Sequence, residues 1–230
     1  MSDPVLALTG VRKVYRSGEL LVEALRGIDF AVQKGEFAAI MGESGSGKTT
    51  LLGILGCLDR PTEGSYRLVG EEMATLPESR RARVRGERIG FVFQAFNLLA
   101  RASAFDNVAL PLVYARVPRR ERRERALAAL GAVGLIERAD HRPNQLSGGQ
   151  QQRVAVARAL VTNPSIVLAD EPTGNLDSAS ARDVLAILAT LHEHGATIVM
   201  VTHSREVAAH AGRILQMADG LVVADDVVSA

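Results

Sequence analysis

The chain has 230 residues, 47% of them apolar, and a formal net charge of +1. That length fits one domain, or one domain with an inserted subdomain, and leaves enough apolar residues for a sizeable core. The near-zero charge gives no case for nucleic-acid binding, the single cysteine excludes an internal disulfide framework, and no apolar run is long enough to cross a bilayer.

Met1-Ser2-Asp3-Pro4 has neither a basic flank nor an apolar signal core, so a cytoplasmic protein is expected, with any membrane role passing through a partner chain. Val5 to Thr9 and Val11 to Tyr15 read as a strand, a turn at Gly10 and more extended chain. Leu20 to Leu25 and Ile28 to Val32 read as two further strands, which gives an early antiparallel group. Tyr15 is either a ring on which a purine stacks or an ordinary rim residue.

After a turn at Lys34-Gly35-Glu36, the apolar run Phe37-Ala38-Ala39-Ile40-Met41 reads as a buried strand. Gly42-Glu43-Ser44-Gly45-Ser46-Gly47-Lys48-Thr49 follows and fits G-x-x-x-x-G-K-[ST]. Thr49 to Leu55 then has helical character, completing the strand–loop–helix context that this phosphate-binding motif needs. Gly42, Gly45 and Gly47 permit backbone conformations that a Cβ forbids, so that successive N–H groups turn toward phosphate oxygens at the positive end of a helix. Lys48 is placed to reach the β- and γ-phosphates, and the Thr49 hydroxyl to ligate Mg²⁺. The competing reading, a glycine-rich turn before an ordinary helix, leaves the flanking pattern unexplained. Cys57 falls among the apolar residues of that helix and reads as a buried structural thiol.

Arg60 to Gly64 is a turn and Ser65 to Val69 a short strand. Ile89 to Phe93 is another strand, ended by Gln94. A polar amide just past a buried strand is where α/β folds place ligand contacts, a plain loop glutamine being the alternative. From Glu78 to Arg125 twelve arginines stand against five acids, an excess of +7 in a chain of +1. Pro118 opens a helix over Arg119 to Leu130 that runs on toward Gly131 and Gly134. This basic segment is either a solvated face or a surface for an acidic partner or an anionic membrane.

Ile166 to Ala169 is a short buried strand ending in Asp170-Glu171-Pro172. With a phosphate loop elsewhere in the chain, two carboxylates at a strand tip suit a metal-holding acid, Asp170, and a base for an attacking water, Glu171. A helix over Ser178 to His194 and a strand over Thr197 to Val201 follow, with Thr202 and His203 at its tip. His192 and His194 are two apart, which puts them on different helical faces and disfavours a metal site. Arg213 to Val223 reads as a hairpin turning at Asp219-Gly220. The alternation gives a mainly parallel α/β sheet, interrupted at about 95–165 by a mostly helical insertion.

Leu146-Ser147-Gly148-Gly149-Gln150, followed by Gln151 to Leu160, resembles the signature sequence of ABC ATPases and the helix behind it. A serine and two glycines at a helix start are also a second anion site in their own right. The resemblance covers nearly the whole chain. It implies a P-loop NTPase core (1–94 and 166–230), with a mainly parallel sheet and an N-terminal antiparallel β group, and an inserted helical subdomain (about 95–165). It implies a homodimer in which each ATP lies between one subunit's phosphate loop and the other's signature. By the resemblance, Tyr15 stacks on adenine; Ser44, Gly45, Gly47, Lys48, Thr49 and Thr50, with Gly42 and Ser46 of the same loop, hold the phosphates and Mg²⁺; and Gln94 senses metal and γ-phosphate. Asp170 is then the metal-site acid, Glu171 the catalytic base, and His203 the γ-phosphate switch. Ser147, Gly148, Gly149 and Gln150 reach the partner's ATP, and Asp177 crosses the dimer interface.

Gly56 to Thr62, Phe91 to Leu99 and Ala169 to Asp177 are similar to the lipoprotein-release and macrolide-export branch of that family. Ala104-Phe105-Asp106-Asn107-Val108 departs from that branch, which commonly has threonine-alanine and glutamate before the Asn-Val. The expected role is an ATP-hydrolysing subunit on the cytoplasmic face of the cell membrane. It would drive a separate permease that exports or extracts a hydrophobic or lipid-linked cargo. A force-transmitting ATPase of a cell-division or sensing complex is the rival. A DNA-tethering ATPase needs a long coiled coil between loop and signature, and none fits here. A nucleotide kinase lacks the signature.

Overall fold

The computed structural model describes residues 3–18 and 20–228. β1 (Leu6–Ser17) pairs antiparallel with β2 (Leu20–Val32). Each is one long strand where the pattern predicts two short ones. The expected turn at Gly10 is a β-bulge: its φ of 58° shifts the register while the strand continues, and its N–H donates to Asp29 Oδ1 at 2.8 Å.

β3 (Phe37–Gly42) leads through the glycine-rich loop into α1 (Lys48–Leu55), which starts one residue earlier than the pattern predicts. Cys57 is buried, but it lies in the turn beyond α1 with φ 54°, not in the helix. β4 (Glu63–Leu68) returns to the free edge of β1, and β5 (Glu71–Glu72) pairs with β4, closing the four-stranded antiparallel sheet β2-β1-β4-β5. α2 (Glu78–Arg88) follows, with the Glu78 carboxylate taking both Arg81 and Arg85.

β6 (Ile89–Phe93) enters the second sheet. The chain then leaves it for α3 (Ala104–Tyr114), α4 (Arg119–Ala132), two short 3₁₀ turns and α5 (Gly148–Leu160). Ser103 and Asp106 close a reciprocal capping box on α3, and Pro118 precedes α4 as expected. β7 (Ile166–Asp170), α6 (Ser178–Glu193), β8 (Ile198–Thr202), the single turn α7 (Arg205–Ala208) and the hairpin β9 (Arg213–Ala218) and β10 (Leu221–Val227) complete the chain.

The second sheet has the order β10-β9-β3-β8-β7-β6, and every pair but β10–β9 is parallel. Its inner strands are buried on both faces, which is why they read as unbroken apolar runs. Alternation still divides them. Ala38, Ile40, Ile166, Leu168, Val199 and Val201 face a core shared with α1 and the antiparallel sheet. Phe37, Ala39, Met41, Val167, Ala169, Ile198 and Met200 face a second core built with α3, α4, α5 and α6. The two cores clamp the sheet so that the C-terminal tips of β3, β7 and β8 come together.

Candidate nucleotide site

Those tips open into a cavity of about 820 Å³. The loop and α1 bring Ser44, Gly45, Gly47, Lys48, Thr49 and Thr50 to it; Gln94 follows β6; Asp170 ends β7 and Glu171 follows it; His203 follows β8. A larger recess of about 1070 Å³ lies at the opposite, N-terminal ends of β7 and β8, and holds none of the predicted site residues.

The loop is shaped by contact as much as by glycine freedom. Gly47 has φ 99°, and a Cβ on it would stand 2.6 Å from the Ala24 carbonyl of β2, so the loop lies directly on that strand. The Lys48 ammonium folds back and donates to the Gly42 and Glu43 carbonyls at 2.7 and 2.6 Å, with Ser46 Oγ at 3.4 Å. The cation is thus held on carbonyls of its own loop at the start of α1, where the first N–H groups of a helix favour an anion.

Asp170 ends β7 half-buried. Burial pushes its carboxyl above the usual carboxylate range, the neighbouring Glu171 charge pushes it further, and Lys48 opposes both. A carboxylate under that pressure is relieved by a cation. With the Thr49 hydroxyl lining the same cavity, the residues present fit a hard, oxygen-liganded metal. Glu171 adopts φ 42°, and its N–H donates to the Val201 carbonyl at 2.9 Å. Its side chain turns to β8, where Thr202 Oγ1 donates to one carboxylate oxygen at 3.1 Å and the His203 N–H to the other at 2.9 Å.

Gln94 and Asn175 exchange two hydrogen bonds: Gln94 Nε2 donates to Asn175 Oδ1 at 3.2 Å, and Asn175 Nδ2 to the Gln94 carbonyl at 3.0 Å. Ser147 caps α5 with a capping box to Gln150, its Oγ accepting from Gln150 N at 3.2 Å. Gly149 has no room for a side chain, because a Cβ there would stand 2.6 Å from Ser180 Oγ on α6. Asp177 caps α6, accepting from the Ser180 and Ala179 N–H groups at 2.9 and 3.0 Å; those bonds, Ser180's foremost, hold its carboxyl below the usual range.

The site thus gathers the loop, Gln94, Asp170, Glu171 and His203. Ser147, Gly148, Gly149, Gln150 and Asp177 line no part of the cavity, and Tyr15 stands just outside it. Four further residues beside the site are not among those predicted from the sequence. Gln152, fully buried on α5, donates to the Pro172 carbonyl at 2.6 Å and the Phe93 carbonyl at 3.3 Å. Arg158, also on α5, donates to the Phe96 and Asn97 carbonyls at 2.8 and 2.5 Å. Lys13 and Asp59 pair at 2.7 Å beside Tyr15. Only the Lys13–Tyr15 spacing left a local signal, since residues two apart on a strand share a face.

A phosphate loop between a central parallel strand and its helix, with acids on the tip of a strand one place removed in the sheet, defines a P-loop nucleoside triphosphatase. The family model for the ABC transporter matches residues 25–174, and the chain belongs to that family as an ATP-hydrolysing cassette. It is 54% identical over 222 residues to the macrolide export ATP-binding/permease protein MacB of Rhodospirillum rubrum, covering 96% of this chain and 34% of that one. The chain therefore spans about a third of the length of such MacB relatives. An uncharacterized ABC transporter ATP-binding protein of Thermotoga maritima is 53% identical over 218 residues, 95% of this chain and 93% of that one. Among solved structures, the dimeric post-hydrolysis state of the ATP-binding cassette MJ0796 bound to ADP and Pi superposes with a TM-score of 0.89 at 44% identity, covering 98% and 99% of the two chains.

Proposed function

We propose that this cassette works as a homodimer that powers a membrane permease of the macrolide-export type, from the cytoplasmic face of the cell membrane. The cargo class is hydrophobic or lipid-linked. The observation that carries the dimer is the separation of two anion sites on one chain: Ser147 to Gln150 share no cavity with Lys48 and Glu171. A second copy completes the site, as the dimeric MJ0796 structures support by analogy.

Within each site the roles divide by chemistry. Lys48 and the loop N–H groups hold the β- and γ-phosphates. Thr49, Asp170 and Gln94 would hold Mg²⁺, which when bound neutralises phosphate charge. Glu171 accepts the proton of the attacking water, and His203 orients Glu171 and meets the γ-phosphate. Tyr15 carries the base. Ser147, Gly149 and Asp177 act across the dimer. Residues 95–165 serve as a helical subdomain on the core formed by 1–94 and 166–230.

The permease contact is the apolar groove of about 610 Å³ lined by Leu58, Phe91, Phe93, Pro111 and Tyr114. Leu58 and Tyr114 are 57% and 80% exposed there, large apolar surfaces left for a partner. The MacB relatives, named as ATP-binding/permease proteins, support a permease partner; the Thermotoga relative, matched over nearly its full length, supports one on a separate chain. The test is ATP hydrolysis with and without a co-expressed permease of this branch in membranes. Leu58→Asp and Tyr114→Asp should abolish stimulation by the permease and leave the basal rate intact. Full stimulation of both variants would remove the groove from the contact.

A further inference from the structure

Lys13, Tyr15 and Asp59 form a closed triangle at the edge of the nucleotide cavity. The Lys13 ammonium stands 4.8 Å from the Tyr15 ring centroid. It is fixed there by Asp59 Oδ1 at 2.7 Å and the Arg60 carbonyl at 2.8 Å. The second Asp59 oxygen accepts from the Tyr15 hydroxyl at 2.9 Å. The Lys13 side chain is 12% exposed, whereas Tyr15 is 42% exposed. The cation therefore covers one face of the ring while much of the residue stays open to solvent. Thr50, which lines the cavity, neighbours the phenol and sets the ring at the cavity's edge.

We propose that Lys13 and Asp59 are positioning residues that hold Tyr15 as a preformed stacking platform for a purine base. The inference rests on the reading of Tyr15 as the base-binding ring and assigns what fixes it. A cation over one π-face attracts the ring and discourages rotation about the side-chain bonds. The hydrogen bond to Asp59 pins the far end of the ring. Stacking a base on a ring already fixed loses little rotamer entropy. Asp59 stays ionised in this role. Burial alone would raise its carboxyl, but Lys13, the Arg60 N–H and the Tyr15 hydroxyl together hold it below its ordinary value. Its charge is balanced by Lys13, so the platform adds no net charge beside a triphosphate.

The arrangement also explains why the platform and the phosphate loop keep their spacing. α1 begins at Lys48, and the turn that closes it presents Asp59; the Leu58 and Asp59 N–H groups both donate to the Gly53 carbonyl, at 2.8 and 3.1 Å. One short helix thus fixes the phosphate end and the base end of the nucleotide together. A platform of this kind reads ring area more than ring edges, so it favours purine over pyrimidine nucleoside triphosphates.

The experiment compares two probes by calorimetry in the presence of Mg²⁺: ATP, and inorganic tripolyphosphate, which has no base. Tyr15→Ala should weaken ATP binding about tenfold or more and leave tripolyphosphate unchanged. Lys13→Met and Asp59→Asn should each weaken ATP roughly three- to tenfold, again sparing tripolyphosphate. Tyr15→Phe, which keeps the ring and loses the hydroxyl's bonds to Asp59 and Thr50, should move the same way, and Lys13→Arg should retain parental ATP affinity. If Tyr15→Ala binds ATP like the parent, the base reading of Tyr15 fails and the inference with it. If Tyr15→Ala loses affinity while Lys13→Met, Asp59→Asn and Tyr15→Phe do not, Tyr15 keeps its role and the positioning role alone is overturned. Equal loss for both probes in the Lys13 and Asp59 variants makes the pair merely structural and also overturns it.

Discussion

His203 contacts Glu171 twice through one carboxylate oxygen: its backbone N–H donates to Oε1 at 2.9 Å, and its ring Nδ1 lies 2.7 Å from the same atom. Glu171 is largely covered while the His203 ring is open to the cavity. The Glu171 carboxylate is therefore aimed by the neighbouring strand tip, and the imidazole and the carboxylate are joined as one unit.

Replacing Glu171 by glutamine keeps an oxygen for the His203 N–H but removes the proton acceptor. General-base catalysis is worth roughly 10²–10⁴-fold, or about 3–5 kcal/mol of barrier. Glu171→Gln should turn over ATP at least about a hundredfold more slowly. It should bind Mg-ATP normally and accumulate as a dimer on gel filtration with ATP. Adding Ser147→Arg should return it to monomer. Near-parental phosphate release would take the base role from Glu171, and a strictly monomeric ATP-bound form would count against the sandwich.

Asp170 gives a pH dependence whose sign follows from its raised pKa. Its ionised form is disfavoured in the folded state, so the nucleotide-free protein carries a penalty above the folded pKa that vanishes once the group is protonated in both states. Asp170→Asn should therefore melt higher than the parent at pH 7–8 without metal. The gap should close as pH falls through the carboxylate range. A gap that widens on acidification would refute the assignment of the shift.

Burial pushes the Cys57 thiol up to about 11, against the lowering influence of Tyr66, Arg81 and Arg85. At pH 8 its thiolate is scarce, and the folded protein should react with iodoacetamide at least about a hundredfold more slowly than free cysteine. Adding denaturant should restore ordinary labelling. Fast labelling of the native state would mean that the turn after α1 opens.

Arg119, Arg120, Arg122 and Arg123 border a recess of about 740 Å³ floored by Phe105, Ala109, Leu110 and Val113. Arg120 pairs with Glu124 at 3.1 Å, whereas Arg119, Arg122 and Arg123 form no ion pair among the described residues. If this face meets an anionic membrane, each arginine contributes about 1 kcal/mol. Reversing all four should cut co-sedimentation with permease-bearing membranes by about a thousandfold or more at low salt. Basal ATPase activity should be unchanged. Equal co-sedimentation would leave α4 as a solvated face.

The part of the molecule that lines the cavity was legible because its physics is local. β3, β7 and β8 are covered on both faces and so are written as apolar runs, and the loop, Asp170, Glu171 and His203 follow directly at their tips. Gly10 misled because a bulge and a turn ask for the same left-handed residue, and only the pairing partner distinguishes them. α2 went unplaced because its buried side is only Arg81 and Val84, too little for a periodic signal. Gln152 is one of three consecutive glutamines, and nothing in the run marks which of them is buried. Its bond to Phe93 and that of Lys13 to Asp59 join residues 59 and 46 positions apart, distances over which the chain carries no local trace.

α5 is stapled on both sides of Gln94, at Phe93 by Gln152 and at Phe96 and Asn97 by Arg158. Its first turn carries the signature, while Arg158 near its far end lines the apolar groove. In mechanical terms the helix is a beam with a load point at one end and a contact at the other. Thirteen residues make it about 20 Å long, so a tilt of about 5° at the groove displaces Ser147 by roughly 2 Å. In the proposed dimer that is enough to make or break a hydrogen bond from Ser147 to a phosphate on the facing subunit.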